Sequence, residues 1–178
     1  MSNHTDITDP PSSKAEETRI YFIGLDPDTG NFDIYSRLEP YKEQLSDEDI
    51  MKIINSHSKD FARTHFDFDF KKPTKIAFRL EIDKWEFSEI NRYDYKTYPF
   101  YLKDESSHEI FRGLKPLPEK VPDNKTIVVY NLGMKNPPSL PSELHKYGLR
   151  INVVERDKNK TVKVLTPLEI DPEFKNEG

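Results

Sequence analysis

The chain has 178 residues, a length typical of one domain, and 34% of them are hydrophobic, 12% aromatic and 33% charged. Its 27 basic and 32 acidic residues are interspersed and give a net charge of −5, so no basic stripe is present for a phosphate backbone. The absence of cysteine excludes disulfides, thiolate nucleophiles and cysteine-ligated metals. With no run of 18 apolar residues and no apolar leader, we expect a cytoplasmic protein that binds neither nucleic acid nor membrane.

The N-terminal residues 1–17 are expected to form a disordered tail, because Ile7 and Ala15 are their only apolar residues after the initiating methionine. Residues 18–174 are predicted to form a single domain, and residues 175–178 a short C-terminal tail. The domain begins with two runs of strand composition, 19–25 and 32–38, around a turn rich in Asp, Pro and Gly. This arrangement predicts a β-hairpin.

One amphipathic helix is predicted over residues 47–59. Ser46 provides a hydroxyl cap, and the three acidic residues after it lie where the helix dipole favours negative charge. Ile50, Ile53, Ile54 and His57 then fall on one helical face. This face is expected to pack against the domain.

The chain after residue 61 is predicted to be a series of short strands, at 65–70, 75–82, 86–90, 98–102, 109–112, 126–132, 147–155 and 161–165. The clearest alternation places Ile76, Phe78, Leu80 and Ile82 on one face of the strand at 75–82. The last two strands flank a polar loop of hairpin length and should pair antiparallel. These patterns predict a mainly β fold, an antiparallel β-sandwich with one helix.

A metal site can be built on the strand at 65–70. His65, Asp67 and Asp69 would project from one face of that strand, and His57 of the preceding helix could supply a fourth ligand. The alternative is an ordinary strand with an aromatic core face and a solvated polar face. We favour this alternative, because same-face neighbours are about 6.6–6.8 Å apart, too far to share a metal unless the strand curves.

A cluster of tyrosines among charged residues lies at 91–101. Tyrosine suits a recognition surface, because its ring is large and rigid and its hydroxyl forms hydrogen bonds. Some of these rings could instead alternate inward as core residues. The candidate binding residues of this region are Tyr93, Tyr95, Tyr98 and Tyr101, together with Trp85.

A segment with one glycine and three prolines spans residues 131–141. Leu132 and Met134 could make it a docking loop for a partner, although such a segment is also typical of a rigid connection between strands. No local grouping in the chain assembles a nucleophile, a base and an orienting group. We therefore predict no catalytic residue and no cofactor.

The C-terminal third ends in a strand pair followed by Ile170, Asp171, Pro172 and, four residues later, Asn176. In this it resembles a group of uncharacterised bacterial β-sandwich proteins of the DP-EP-like type. The resemblance covers about fifty residues and implies an immunoglobulin-like sandwich without an assigned activity.

The favoured function is a non-catalytic interaction or accessory module that binds another protein through an aromatic face or a strand edge. One alternative is a metal-dependent enzyme or binder that uses His57, His65, Asp67 and Asp69. Another is a carbohydrate-binding sandwich that uses Trp85 and the tyrosines. The sequence leaves homo-oligomerisation open.

Overall fold

A computed structural model describes residues 6–25, 28–30, 32–56, 61–64, 68–91, 94–102, 110–132, 143–156, 162–170 and 173–176. Over these residues it contains twelve strands, one α-helix and a 3-10 turn at Tyr95–Thr97. The elements are β1 (Glu17–Leu25), β2 (Phe32–Ser36), α1 (Asp47–Asn55), β3 (Ala62–Thr64), β4 (Phe68–Phe70), β5 (Thr74–Leu80), β6 (Trp85–Phe87), β7 (Phe100–Leu102), β8 (Phe111–Leu117), β9 (Thr126–Asn131), β10 (Glu143–Arg156), β11 (Val162–Ile170) and β12 (Glu173–Asn176). The mainly β prediction is confirmed. None of the described helical segments has the length and apolar character that crossing a bilayer requires.

The strands form two sheets. The first has the order β3-β2-β1-β5-β9-β8, and the second is organised around the 14-residue strand β10, which pairs with β11, β6, β7 and β12. The two predicted hairpins, β1–β2 and β10–β11, are both antiparallel as expected.

Two strand pairs depart from the antiparallel prediction. β1 pairs parallel with β5, and β12 pairs parallel with β4, so the sheets are mixed. Parallel pairing requires a long crossover connection, and the chain between β1 and β5 supplies one that contains β2, α1, β3 and β4. The two sheets pack on each other as in a sandwich, and the immunoglobulin-like topology stays a prediction.

The core between the sheets is built on aromatic rings. Phe78 of the first sheet is fully buried, and its ring centroid lies 6.5 Å from Phe100 and 6.4 Å from Tyr147, both on strands of the second sheet. The predicted burial is confirmed for Ile76, Phe78 and Leu80 of β5. Ile82, the fourth residue of the predicted face, lies beyond the strand and is half-buried. Few but large side chains therefore fill this lean core.

The other face of the first sheet is covered by α1. Ser46 caps the helix as predicted, and its hydroxyl accepts a hydrogen bond from the Asp49 backbone N–H at 3.1 Å. Ile50 and Ile54 are buried in a second cluster that includes Ala77 of β5. Strand β5 is thus buried on both faces.

Residues 6–11, called the N-terminal segment below, pack on the sandwich, although they lie within the tail that the sequence predicts to be disordered. Ile7 is only 3% exposed and belongs to the core between the sheets. The Leu114 N–H donates to the Ile7 carbonyl at 2.9 Å, and the Gly113 N–H donates to the Asp9 carbonyl at 2.7 Å. One apolar side chain with two backbone hydrogen bonds at a sheet edge holds this segment, although its composition resembles that of a disordered chain.

Candidate binding cleft

Two adjoining clefts lie where the chain leaves β6 and passes the turn between β8 and β9. The first encloses about 610 Å³ and the second about 540 Å³. They share Phe87, Ser88, Glu89 and Asn124, so they adjoin, and the pair is called the double cleft. Its lining comes from six regions of the chain: residues 8–11, 86–91, 96–97, 113–130 and 150–154, and Val164.

The turn before β9 contributes Asn124, which lines both clefts. Asn124 adopts a left-handed conformation, φ 61°, which asparagine tolerates better than most residues. Its carbonyl accepts a hydrogen bond from the Phe87 N–H at 2.6 Å, and this bond ties the first sheet to the second. Glu86, which lines the second cleft, is 6% exposed. The ammonium of the neighbouring Lys125 is partly buried, and this burial lowers its pKa.

Four side chains on the cleft have polar groups that are available to a ligand. Ser88 and Asn152 are half-exposed, whereas Glu89 and Lys96 are exposed. Their side-chain polar atoms make no hydrogen bond or ion pair within the part of the chain that the structure describes. A hydroxyl, an amide, a carboxylate and an ammonium together offer donors, acceptors and both charges.

Lys115 also lines the cleft but is engaged by helix α1. Its ammonium contacts the carboxylate of Asp47, which also accepts a hydrogen bond from the buried Lys75 at 2.8 Å. Burial alone would raise the pKa of Asp47, but the hydrogen bonds from Lys115 and Lys75 outweigh it and lower that pKa. Burial would likewise lower the pKa of Lys115, and its hydrogen bond to Asp47 raises it instead. The Lys115 ammonium is therefore already paired with Asp47, and its side chain is held in place along the cleft.

Arg150 is held in a similar way on the far side of the double cleft. Its guanidinium stacks 3.9 Å above the Tyr101 ring and donates to the Tyr98 carbonyl at 3.0 Å. Glu169 accepts a hydrogen bond from the Tyr101 hydroxyl at 3.2 Å and lies 3.6 Å from Arg150. Tyr101 therefore has one ring face covered and does not present an open aromatic platform.

Three of the other predicted binding residues, Tyr98, Trp85 and Leu132, are described by the structure. Tyr98 is 3% exposed and donates its hydroxyl to Asp6 at 2.9 Å, so it is a core residue. Trp85 and Leu132 are half-buried and pack against the two core clusters. The remaining members of the predicted set lie outside the described residues: Tyr93, Met134 and the side chain of Tyr95.

The predicted metal ligands also lie outside the described residues, namely His57, His65, Asp67 and the side chain of Asp69. The backbone of Asp69 lies in β4, opposite Lys175 of β12. Within the described ranges, no three acidic or histidine side chains converge in the way that a metal site requires. The metal site stays a prediction.

The residues that line the double cleft were missed by sequence reasoning. The predicted strand at 86–90 ends at Phe87 in the structure, and this early end frees Ser88 and Glu89 to line the cleft. No local motif marks them. Comparisons with models of known protein families and with curated proteins find no match, so the DP-EP-like resemblance also stays a prediction.

Proposed function

We propose that the protein is a non-catalytic interaction module that binds an extended peptide segment of another protein in the double cleft. The observation that carries this proposal is the set of four available polar side chains, Ser88, Glu89, Lys96 and Asn152, which all line the second of the two adjoining clefts. A peptide backbone presents alternating donors and acceptors, which a hydroxyl and an amide can both satisfy. A cytoplasmic location belongs to the same proposal and rests on composition.

Two sheet edges, those of β11 and β8, are poorly suited to pairing with a strand from a partner, and this favours the cleft as the binding site. The outer edge of β11 has no strand partner among the described residues, but Pro167 interrupts it and a register shift occurs opposite Val153 and Val154. Proline and bulges are devices that protect an edge from further pairing. The edge of β8 is already hydrogen-bonded to the N-terminal segment.

The ring geometry favours a peptide over a sugar. Carbohydrate recognition by an aromatic platform needs an exposed ring face, whereas the two aromatic residues that line the described part of the cleft, Phe87 and Tyr130, are buried. The charged side chains Glu89 and Lys96 can pair with charges that a peptide carries and a neutral sugar lacks.

The test is a selection of phage-displayed random peptides against the full chain. The affinity of a selected peptide is then measured by fluorescence anisotropy for the wild type and for Glu89→Ala and Asn152→Ala. Loss of one hydrogen bond at about 0.5–1.5 kcal/mol corresponds to a Kd roughly 2- to 12-fold weaker. The matched controls are Glu155→Ala and Asn55→Ala, which remove exposed side chains outside the cleft.

The expected result is that only the two cleft variants weaken binding. Equal affinities for all four variants would contradict the proposed site, and failure to select any peptide would contradict the ligand class. Binding of an oligosaccharide from a glycan array, weakened by Asn152→Ala, would favour the carbohydrate alternative instead.

A further inference from the structure

The two halves of the double cleft differ in chemistry. Nine of the sixteen described residues that line the first cleft are aliphatic, aromatic or proline, against three of the twelve that line the second. Phe87, Leu114 and Ile127 are each at most 2% exposed and belong to the core between the sheets, so this core reaches the first cleft. An opening of about 610 Å³ with such a lining fits a large apolar side chain. The more exposed apolar residues around it are Ile90, Pro10, Pro11, Pro116 and Pro122.

Among the charges on the first cleft, the carboxylate of Glu89 is the one left without a partner in the described part of the chain. The other two charged residues there are Lys115 and Glu119. The Lys115 ammonium contacts the Asp47 carboxylate and lies 3.9 Å from Glu119, so these charges offset one another. Glu89 is exposed and lines both clefts, whereas Lys96 lines only the second. A ligand group beside the apolar opening therefore meets a negative charge.

We propose that the peptide bound by the double cleft carries a large apolar side chain that fills the first cleft and, next to it in sequence, a lysine or arginine that pairs with Glu89. The inference rests on the proposed function, because it specifies the peptide that the cleft accepts. Burial of a leucine or phenylalanine side chain supplies most of the affinity. The pair with Glu89 stays exposed and selects the charge of the neighbouring residue. An acidic residue at that position would lie beside a like charge and is disfavoured.

The first experiment tests the apolar side chain. A fluorescent copy of a peptide selected on the full chain is compared, by anisotropy, with the same peptide carrying alanine in place of its largest apolar residue. The alanine peptide should bind roughly 10- to 140-fold more weakly, as expected for the loss of a buried apolar side chain. Ile90→Ala should weaken the original peptide about fourfold, the effect of one buried methylene, and should leave the alanine peptide unchanged. Leu38→Ala removes an exposed apolar side chain outside both clefts and should change neither Kd.

The second experiment exchanges charges between the peptide and the protein. Glutamate in place of the basic neighbour should weaken binding to the wild type roughly 2- to 30-fold, because one exposed ion pair is lost and one like-charge contact is gained. Glu89→Lys should reverse this preference, so that the glutamate peptide binds more tightly. Glu155→Lys makes the same charge change at an exposed position outside both clefts and should keep the wild-type preference. High salt should reduce the preference, because exposed charges are screened.

Failure of the inference and failure of the proposed function give different results. Selected peptides that are weakened by Asn152→Ala but not by loss of their largest apolar residue would overturn the inference and leave the proposed function standing. The same holds if they lack a basic residue beside it, or if their charge preference is unchanged in Glu89→Lys. Selection of no peptide at all would overturn both.

Discussion

Replacing Phe78 with alanine removes the side chain that joins the two sheets. Phe78 is 0% exposed, and its ring lies 5.8 Å from Tyr21, 6.4 Å from Tyr147 and 6.5 Å from Phe100. Truncation of a buried phenylalanine costs about 3–5 kcal/mol. We expect the upper half of that range, because closing the cavity would require both sheets to move.

Urea unfolding measures this cost. The single tryptophan, Trp85, packs against the same core and reports the transition by fluorescence. The midpoint should fall while the m value stays constant, and Tm should fall by roughly 8–20 °C, from about 4–5 kcal/mol at about 2–4 °C per kcal/mol. Leu38→Ala is the control, since Leu38 is 87% exposed and should change stability by less than about 0.5 kcal/mol. A loss below about 1 kcal/mol for Phe78→Ala would refute the packing described here.

Three further substitutions test other parts of the fold. Ile7→Ala should destabilise the chain by about 2 kcal/mol, the low end for this truncation, because the segment can detach; calorimetry measures the shift in Tm. Asp47→Asn should cost about 1–3 kcal/mol at pH 7 by leaving the ammonium of Lys75 buried without its carboxylate. The folded-state pKa of Asp47 lies below its usual 3.8, so the wild type loses its extra stability as pH falls through that folded pKa. Urea unfolding between pH 7 and pH 3 should therefore show the unfolding free energies of the two proteins becoming more similar. Gly148→Ala would place a Cβ 2.2 Å from the Tyr101 ring and should cost about 1–3 kcal/mol by overpacking, with most of that loss removed in the double variant with Tyr101→Ala.

Each of these expectations has a contrary result. An unchanged Tm for Ile7→Ala would mean that the N-terminal segment contributes nothing to stability. A difference in unfolding free energy between the wild type and Asp47→Asn that stays constant down to pH 3 would show that the charge of the Asp47 carboxylate does not stabilise the fold. Additive losses for Gly148→Ala and Tyr101→Ala would show that the two residues do not contact each other.

Local patterns predicted the elements that depend on neighbouring residues. The β1–β2 and β10–β11 hairpins follow from two strand-forming runs around a short polar loop, and the start of α1 follows from Ser46 and the acids after it. The alternation in β5 correctly identified one buried face. It could not reveal that Lys75 and Ala77 on the opposite face are buried as well, because that depends on α1 crossing the sheet.

Long-range features were not predictable from the chain. The parallel pairing of β1 with β5 joins residues more than fifty positions apart, and no local pattern specifies it. The docking of Ile7 depends on a pocket built by other strands, whereas the tail composition alone indicates disorder. The double cleft combines six separate regions of the chain, so its residues share no motif that a single sequence could show.

The peptide-binding account is tested most directly by a ¹⁵N–¹H NMR titration of the full chain with a selected peptide. The account predicts that the perturbed amides cluster at residues 87–91, 96–97 and 113–124 and at 150–154. Perturbations confined to α1, or to the β2–β3 end of the first sheet, would contradict it.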